Sequence, residues 1–444
     1  MKENAINTVL ANELCVGCGM CTYMHEDVIE MKWNENGFLV PHLKENASLS
    51  KYDLALCPFN PKPVSEVRTE DEIASLFLQD APNYHRNIGR YNKIYAGYSA
   101  DFRSRSSSGG IATLVFASLL ESGEINHIIS VRESSTNFYE YAISSTKEEL
   151  LQASKTKYYP VTLATVLPKI IDLPGVVAIS GVACFIKAIR LAQYHHPELR
   201  QKIKFLVGII CGGLKSSFFT DYLASKSGIE DGNFKSPAYR IKDLSSTAYD
   251  YSFGCIEAHT CIEKQIKMKN VGDMWGTGLF KAKACDFCDD VTTELADISL
   301  GDAWIHPYAK DGAGTSVIVT RSAAADKLIQ TTLAQGKLNI HLMPLEEFLK
   351  SQSGSFNHRQ KAQPFRIKKA TDQGDIIPPK RFVAEDISYP SKLVQTIRLK
   401  VRANSLLFWS QYPGAASFDS RMRKDLLTLK VVTKLNQKIR KYLD

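Results

Sequence analysis

Between about residues 91 and 345 the chain alternates short apolar runs with longer segments whose apolar residues recur at helical spacing. KIYAGYSA (93–100), INHIISVRE (125–133), GVVAIS (175–180), KIKFLVGII (202–210), ADISLGDAW (296–304) and TSVIVTRS (315–322) read as strands. IATLVFASLLES (111–122), FIKAIRLAQYHH (185–196), SSFFTDYLAS (216–225) and AAADKLIQTTLAQG (323–336) read as the helices between them. Strands that alternate with helices predict an α/β sheet with helices packed on it. Ligands of such sheets sit beyond the carboxyl ends of the strands, so those ends carry the functional interest.

The flanks follow other rules. Residues 1–60 are turn-rich and bear cysteines, with little room for an apolar core of their own. A metal centre would supply the missing cohesion. Residues 61–90 are polar, hold Pro61, Pro63 and Pro82, and read as a linker with one short helix near EDEIASLFLQ (70–79). Beyond about 345 the pattern is helical and rich in Lys and Arg, with Leu426, Leu429, Val432 and Leu435 at helical spacing in the last segment. The predicted division is 1–60, 61–90, 91–350 and 351–444.

Charge sharpens this division. The net charge is +8, yet residues 391–444 hold twelve Lys/Arg against three Asp, so the rest of the chain sums to about −1. The basic character belongs to the tail. It can act as a solvated helical cap or as a docking segment for a partner or a membrane surface. Nucleic-acid binding has only the charge in its favour and is not expected. No apolar run approaches the ~20 residues of a membrane span, and the N-terminus does not read as a secretory signal. A cytoplasmic protein is expected, in which ten cysteines serve as reduced thiols or metal ligands.

Three of those cysteines stand in CVGCGMC: Cys15, Cys18 and Cys21. Two-residue gaps are the ligand spacing of bacterial ferredoxins, in which one loop wraps three corners of a cubane. Where a two-cluster ferredoxin would place its fourth Cys-Pro, this chain has His25; the next cysteine, Cys57, is followed by Pro58. The expected site is one 4Fe–4S cluster on Cys15, Cys18, Cys21 and Cys57. Structural zinc normally pairs two hooks rather than a triplet and a distant single.

Cys285 and Cys288 form a further hook in KACDFCDD (283–290), and Cys184 and Cys211 each follow a predicted strand. If those strands are parallel neighbours, both thiols project at one edge, and the hook can complete a second 4Fe–4S site. The alternative is that single buried cysteines are small core residues. Cys255 and Cys261 read as free thiols. Ser106-Ser107-Ser108-Gly109-Gly110 precedes a helix directly, as suits a phosphate-binding turn or a plain helix start. No GxGxxG or Walker loop is present. Asp302, His306 and Tyr308, in GDAWIHPYAKDGAG (301–314), are candidate proton donors or hydrogen-bonded structural residues.

Taken together, CVGCGMC and CPF, YAGYSADFRSRSSSGG, SKTKYYPV, ISGVACFIKAI, IICGG, FKAKACDFCDDVTTELADISLGDAW and GTSVIVTR resemble, in order, the coenzyme F420 hydrogenase/dehydrogenase beta-subunit family over roughly residues 12–350. The resemblance implies a ferredoxin-like iron–sulfur N-terminal module joined to a larger α/β flavin-binding domain, with the helical basic C-terminal segment outside it. It implies FAD at Ser107, Ser108, Gly109 and Gly110 with Ser154 and Lys155 beside it, and a second cluster on Cys184, Cys211, Cys285 and Cys288. The function implied is electron transfer from ferredoxin or another redox partner, through the first cluster, the second and FAD, to a reducible substrate. Many bacterial relatives accompany cell-surface polysaccharide synthesis, so a small molecule or glycan precursor is the expected substrate class. The alternative is a non-catalytic electron-transfer subunit that serves a separate catalytic partner. Two departures bear on the substrate face: Cys211-Gly212-Gly213 where relatives carry a polar pair, and Thr156-Lys157 inserted before Tyr158.

Overall fold

The computed structural model describes residues 5–23, 25–44, 54–63, 65–229, 232–382 and 387–443. At its centre lies an eight-stranded mixed sheet. In spatial order its strands are Leu338–Leu342, Lys93–Ser99, Ser316–Thr320, Ile298–Asp302, Ile203–Ile209, Val177–Val182, His127–Glu133 and Tyr139–Ser144. The four strands from Ile298–Asp302 to His127–Glu133 run parallel, and the outer pairings are antiparallel. Parallel strands need crossovers, and the helices Ile111–Glu121 and Ala183–His195 supply two. Both faces are covered, so strands such as SVIVT (316–320) are buried throughout and read as continuous apolar runs.

Each face has its own core. On one, helices Ile111–Glu121 and Ala323–Ala334 cover Ile128, Phe205, Ile298 and Ile318. On the other, helix Ala183–His195 packs with Ile179 and Leu206 and with the N-terminal segment. Ile6, Val9, Leu14, Met20, Ile29, Leu54 and Phe59 enter this core. The N-terminal segment therefore shares an apolar core with the sheet domain, a partner invisible in its own periodicity. It contains a helix, Ala5–Ala11, and a hairpin of Ile29–Trp33 and Leu39–Leu43.

A third layer is formed by an antiparallel sheet of Phe234–Ile241, Ser252–Glu257 and Glu263–Lys267, unpredicted from the sequence, with helix Phe218–Lys226. Two long C-terminal helices close on this layer, Tyr389–Gln411 and Ala415–Leu443. They pair antiparallel: Ser391 meets Asn436, and Lys400 meets Asp425. Their inner face buries Val401, Leu406, Trp409, Phe418, Met422 and Leu429 beside Tyr222 and Phe280. Leu427, Val431 and Leu435 face outward. No helix among the described residues is long and apolar enough to cross a membrane.

Candidate functional site

The loop after the first helix brings Cys15, Cys18 and Cys21 together. Gly17 and Gly19 take left-handed backbone angles, φ 71° and 78°. At Gly19 a Cβ would lie 2.7 Å from the Ala164 amide, so only glycine lets this loop dock on 162–164. Leu163 N–H donates to the Cys18 carbonyl at 3.0 Å, and Gly17 N–H approaches Cys15 Sγ at 3.4 Å. Cys57 joins the group: burial pushes Cys15 up to about 12, with Cys57 adding to it, and burial pushes Cys57 itself up to about 11. Burial and the neighbouring thiols likewise raise Cys18 and Cys21. Four thiols crowded out of water ionise together only around a cationic centre, so the donor set fits a metal cluster.

The second set gathers at the strand ends. Val177–Val182 and Ile203–Ile209 are parallel neighbours, with Val182 opposite Ile209, so Cys184 and Cys211 emerge at one edge. Cys184 stands in the first turn of its helix; Cys285 lies in a short turn, Lys283–Asp286, and Cys288 just beyond. After burial, the Cys288, Cys211 and Cys285 thiols are the next causes that push Cys184 up, and Cys18 of the first set adds to them. The two sets are thus electrostatic neighbours. Donors point at three of the sulfurs: Gly213 N–H to Cys211 Sγ and Leu214 N–H to Cys285 Sγ, each at 3.2 Å, and Arg359 Nη2 to Cys288 Sγ at 2.6 Å. Such bonds favour thiolates. Among the described residues no three His, Cys, Asp or Glu side chains converge as ligands of one ion would. Cubane ligands hold four separate iron atoms and stand farther apart than zinc thiolates at ~2.3 Å from one metal. Cys255 is buried in the small sheet and Cys261 is exposed; both are free.

A cavity of about 330 Å³ opens beside the first set, with Val182, Phe185 and Ile210, chain neighbours of Cys184 and Cys211, also on its wall; its size is within the range of small-molecule sites. Its wall includes Cys15, Val16 and Gly17, the strand ends 180–182 and 300–302, and Ile209 and Ile210. Ser107, Ser108, Gly110, Ser154 and Lys155 line it. Gly109 does not; its amide donates to Ser316 Oγ at 3.1 Å. Ser107 Oγ accepts from Thr156 N–H at 2.9 Å, which ties the serine turn to 154–157. Lys155 is held at φ 73°, and the Ser130 hydroxyl, also on the wall, is buried without a partner. Hydroxyls and the glycine turn at the head of helix Ile111–Glu121, an unused buried hydroxyl and apolar walls such as Phe116 and Phe185 fit a phosphate-bearing aromatic cofactor.

Several cavity residues carried no signal in their local spacing. Burial pulls Lys157 and Lys215 down to about 7. Lys157 Nζ donates to the Ala153 and Ser154 carbonyls, and Lys215 Nζ to those of Met274 and Leu279. Arg240 grips Asp302 with both branches at 2.5 and 2.8 Å. Asp302 is therefore a paired carboxylate, and of the three candidate proton donors it alone lines the cavity; Tyr308 bonds His341 at 2.7 Å elsewhere.

Fold and site define an α/β protein in which two neighbouring groups of four cysteines lie near one cavity, with Cys15 on its wall. The sequence patterns described as coenzyme F420 hydrogenase/dehydrogenase beta subunit match residues 94–168 (N-term) and 175–345 (C terminus). The chain belongs to this family of oxidoreductase subunits. Coenzyme F420 hydrogenase subunit beta of Methanothermobacter thermautotrophicus is 25% identical over 278 residues, 59% of this chain and 87% of that protein. The coenzyme F420-dependent sulfite reductase of Methanocaldococcus jannaschii is 25% identical over 337 residues, 72% of this chain; the chain spans only 46% of that relative. A chain solved in the F420-reducing NiFe hydrogenase complex of Methanosarcina barkeri aligns with 65% of this chain and 96% of its own, at 19% identity and a TM-score of 0.48.

Proposed function

We propose that the protein is an iron–sulfur flavoprotein oxidoreductase that moves electrons between a redox partner, such as ferredoxin, and a reducible small molecule or glycan precursor. Cys15, Cys18, Cys21 and Cys57 would hold one 4Fe–4S cluster and Cys184, Cys211, Cys285 and Cys288 a second. Ser107, Ser108, Gly110, Ser154 and Lys155 would hold FAD, with Gly109 fixing the turn from behind. The clusters would supply single electrons and the flavin single electrons or pairs. In this reading the ferredoxin-like module of 1–60, the linker of 61–90 and the α/β domain of 91–350 work as one body, and 351–444 closes it. The setting is the cytoplasm.

One observation carries the reading: of the eight thiols, Cys15 alone lines the cavity. This supports the first set, rather than the second, as the flavin's neighbour, the reverse of the predicted order. The protein's own groups do the rest. The serine turn orients the cofactor, Lys157 and Lys215 are placed to hold or release a proton near neutral pH, and Arg240 holds the Asp302 carboxylate in place with both branches. The test is cofactor analysis of anaerobically purified protein. The expected content is about eight iron and one flavin per chain, with Cys57→Ser holding about four iron. Zinc in place of iron would refute the reading.

A second reading, a subunit without a substrate of its own, draws support from the hydrogenase subunits among the relatives. It requires that reduced protein oxidise only when its catalytic partner is added.

A further inference from the structure

Arg359 lies on a single π-helical turn, Asn357–Lys361, a geometry that often marks functional positions. The turn aims Arg359 and Gln360 inward together; Gln360 donates to the Asp289 carbonyl at 3.0 Å. The buried guanidinium of Arg359 reaches two elements of the second thiol set. Nη2 donates to Cys288 Sγ at 2.6 Å and to the Asp290 carbonyl, and Nη1 donates to the Cys211 carbonyl at 2.5 Å.

Its neighbours spend their charge otherwise. Arg402 meets the Asp286 carboxylate at 2.9 Å, Arg381 meets Glu294, and Arg190 meets Asp297. Lys187 and Lys380, which also face Cys288, pair with Glu70 and Asp289. Among the described residues Arg359 makes no ion pair with a carboxylate; its charge is addressed to a cysteine sulfur. The residue also lies past position 345, where the family match ends.

We propose that Arg359 is a positioning residue that sets the electron affinity of the second thiol set, an inference that rests on that set holding a 4Fe–4S cluster. Each electron taken up adds one negative charge there, with no bond made or broken. A buried cation hydrogen-bonded to a ligand sulfur stabilises the more negative state and raises the potential. Arg359→Gln removes the charge and keeps a donor; Arg359→Lys keeps the charge and loses the planar fork.

The experiment is a potentiometric titration of the anaerobic holoprotein, followed by electron paramagnetic resonance, with iron counted in each sample. Arg359→Gln is expected to keep about eight iron and to lower the reduction equilibrium constant of one cluster at least tenfold, about 59 mV for a one-electron couple. Arg359→Lys is expected to shift it less. An Arg359→Gln protein with full iron and an unchanged potential overturns the proposal. If Arg359→Gln retains only about four iron, retention of about eight by Arg359→Lys supports a role of charge. Loss in both variants shows a packing latch and overturns it. A wild-type protein with only about four iron removes the second cluster itself, and the inference with it, before any variant is compared.

Discussion

The ion pair between Arg190 and Asp297 joins the helix that carries Cys184 to the strand that follows the Cys285–Cys288 hook. Arg190 Nη2 meets Asp297 Oδ2 at 3.1 Å, Nε donates to the Leu295 carbonyl and Nη1 to Gln193 Oε1. Asp297 Oδ2 also accepts from Leu206 N–H at 2.9 Å. Burial draws the guanidinium below its ordinary pKa even with this carboxylate beside it, so desolvation outweighs attraction. Asp297→Asn keeps shape and the Leu206 bond but leaves Arg190 buried and unpaired, at a cost of about 3–5 kcal/mol. With about 2.1 cal/mol/K of unfolding entropy per residue, 444 residues convert this into a midpoint lowered by about 3–5 °C. Adding Arg190→Met removes the stranded charge and is expected to restore at least about half of the loss. Circular dichroism melts of the single and double variants, with iron counts, make the check. A single variant within about 1 °C of wild type, or a double variant worse than both singles, would refute the reasoning.

Two further predictions use the cavity. Lys215 titrates at about 7 in the folded protein and near its ordinary value when unfolded, so its buried charge destabilises the fold fully below pH 7, and this cost fades as pH rises toward 10.5. Melts at pH 6, 8 and 9.5 should show wild type gaining on Lys215→Met as pH rises; a constant gap would contradict the assignment. At Gly109 a Cβ would stand 2.6 Å from the Gly97 carbonyl and 2.8 Å from Ser316 Oγ. Gly109→Ala should cost about 1–3 kcal/mol by overpacking and release flavin on gel filtration; flavin retained at the wild-type level would show that the turn does not hold it.

The parallel strands are legible in the chain because burial on both faces demands continuous apolar runs, as in Val177–Val182 and Ile203–Ile209. The edge strand Tyr139–Ser144 is not: a polar SST stretch precedes it and its period is weak. Phe234–Ile241 is hidden for another reason. It contains Pro237 and left-handed angles at Ser236 and Arg240, and its register shifts twice along the pairing. The first thiol triplet is readable from spacing alone, since one loop carries it. The proximity of Cys184, Cys211, Cys285 and Cys288 depends on strand order, which no local pattern encodes. Arg359 and Lys215 are further still from view: each gains its meaning from partners far along the chain, 71 positions away for Arg359 and Cys288, 59 and 64 for Lys215 with Met274 and Leu279.

The hook at Cys285 and Cys288 and the acidic residues around it are clasped by Arg359, Arg366, Arg381 and Arg402. All four of these cations are synthesised after the thiols they cover. At about 5–20 residues per second, roughly 6–23 s separate the emergence of Cys288 from that of Arg402. When Cys288 emerges all ten cysteines are made and none of the four cations is; Arg359 follows 71 residues later, and the clasp is complete only with Arg402. If the second set takes up iron as proposed, the C-terminal segment acts as a timed door: iron delivered before it shuts would enter an open site, and iron delivered afterwards would wait for the clasp to part.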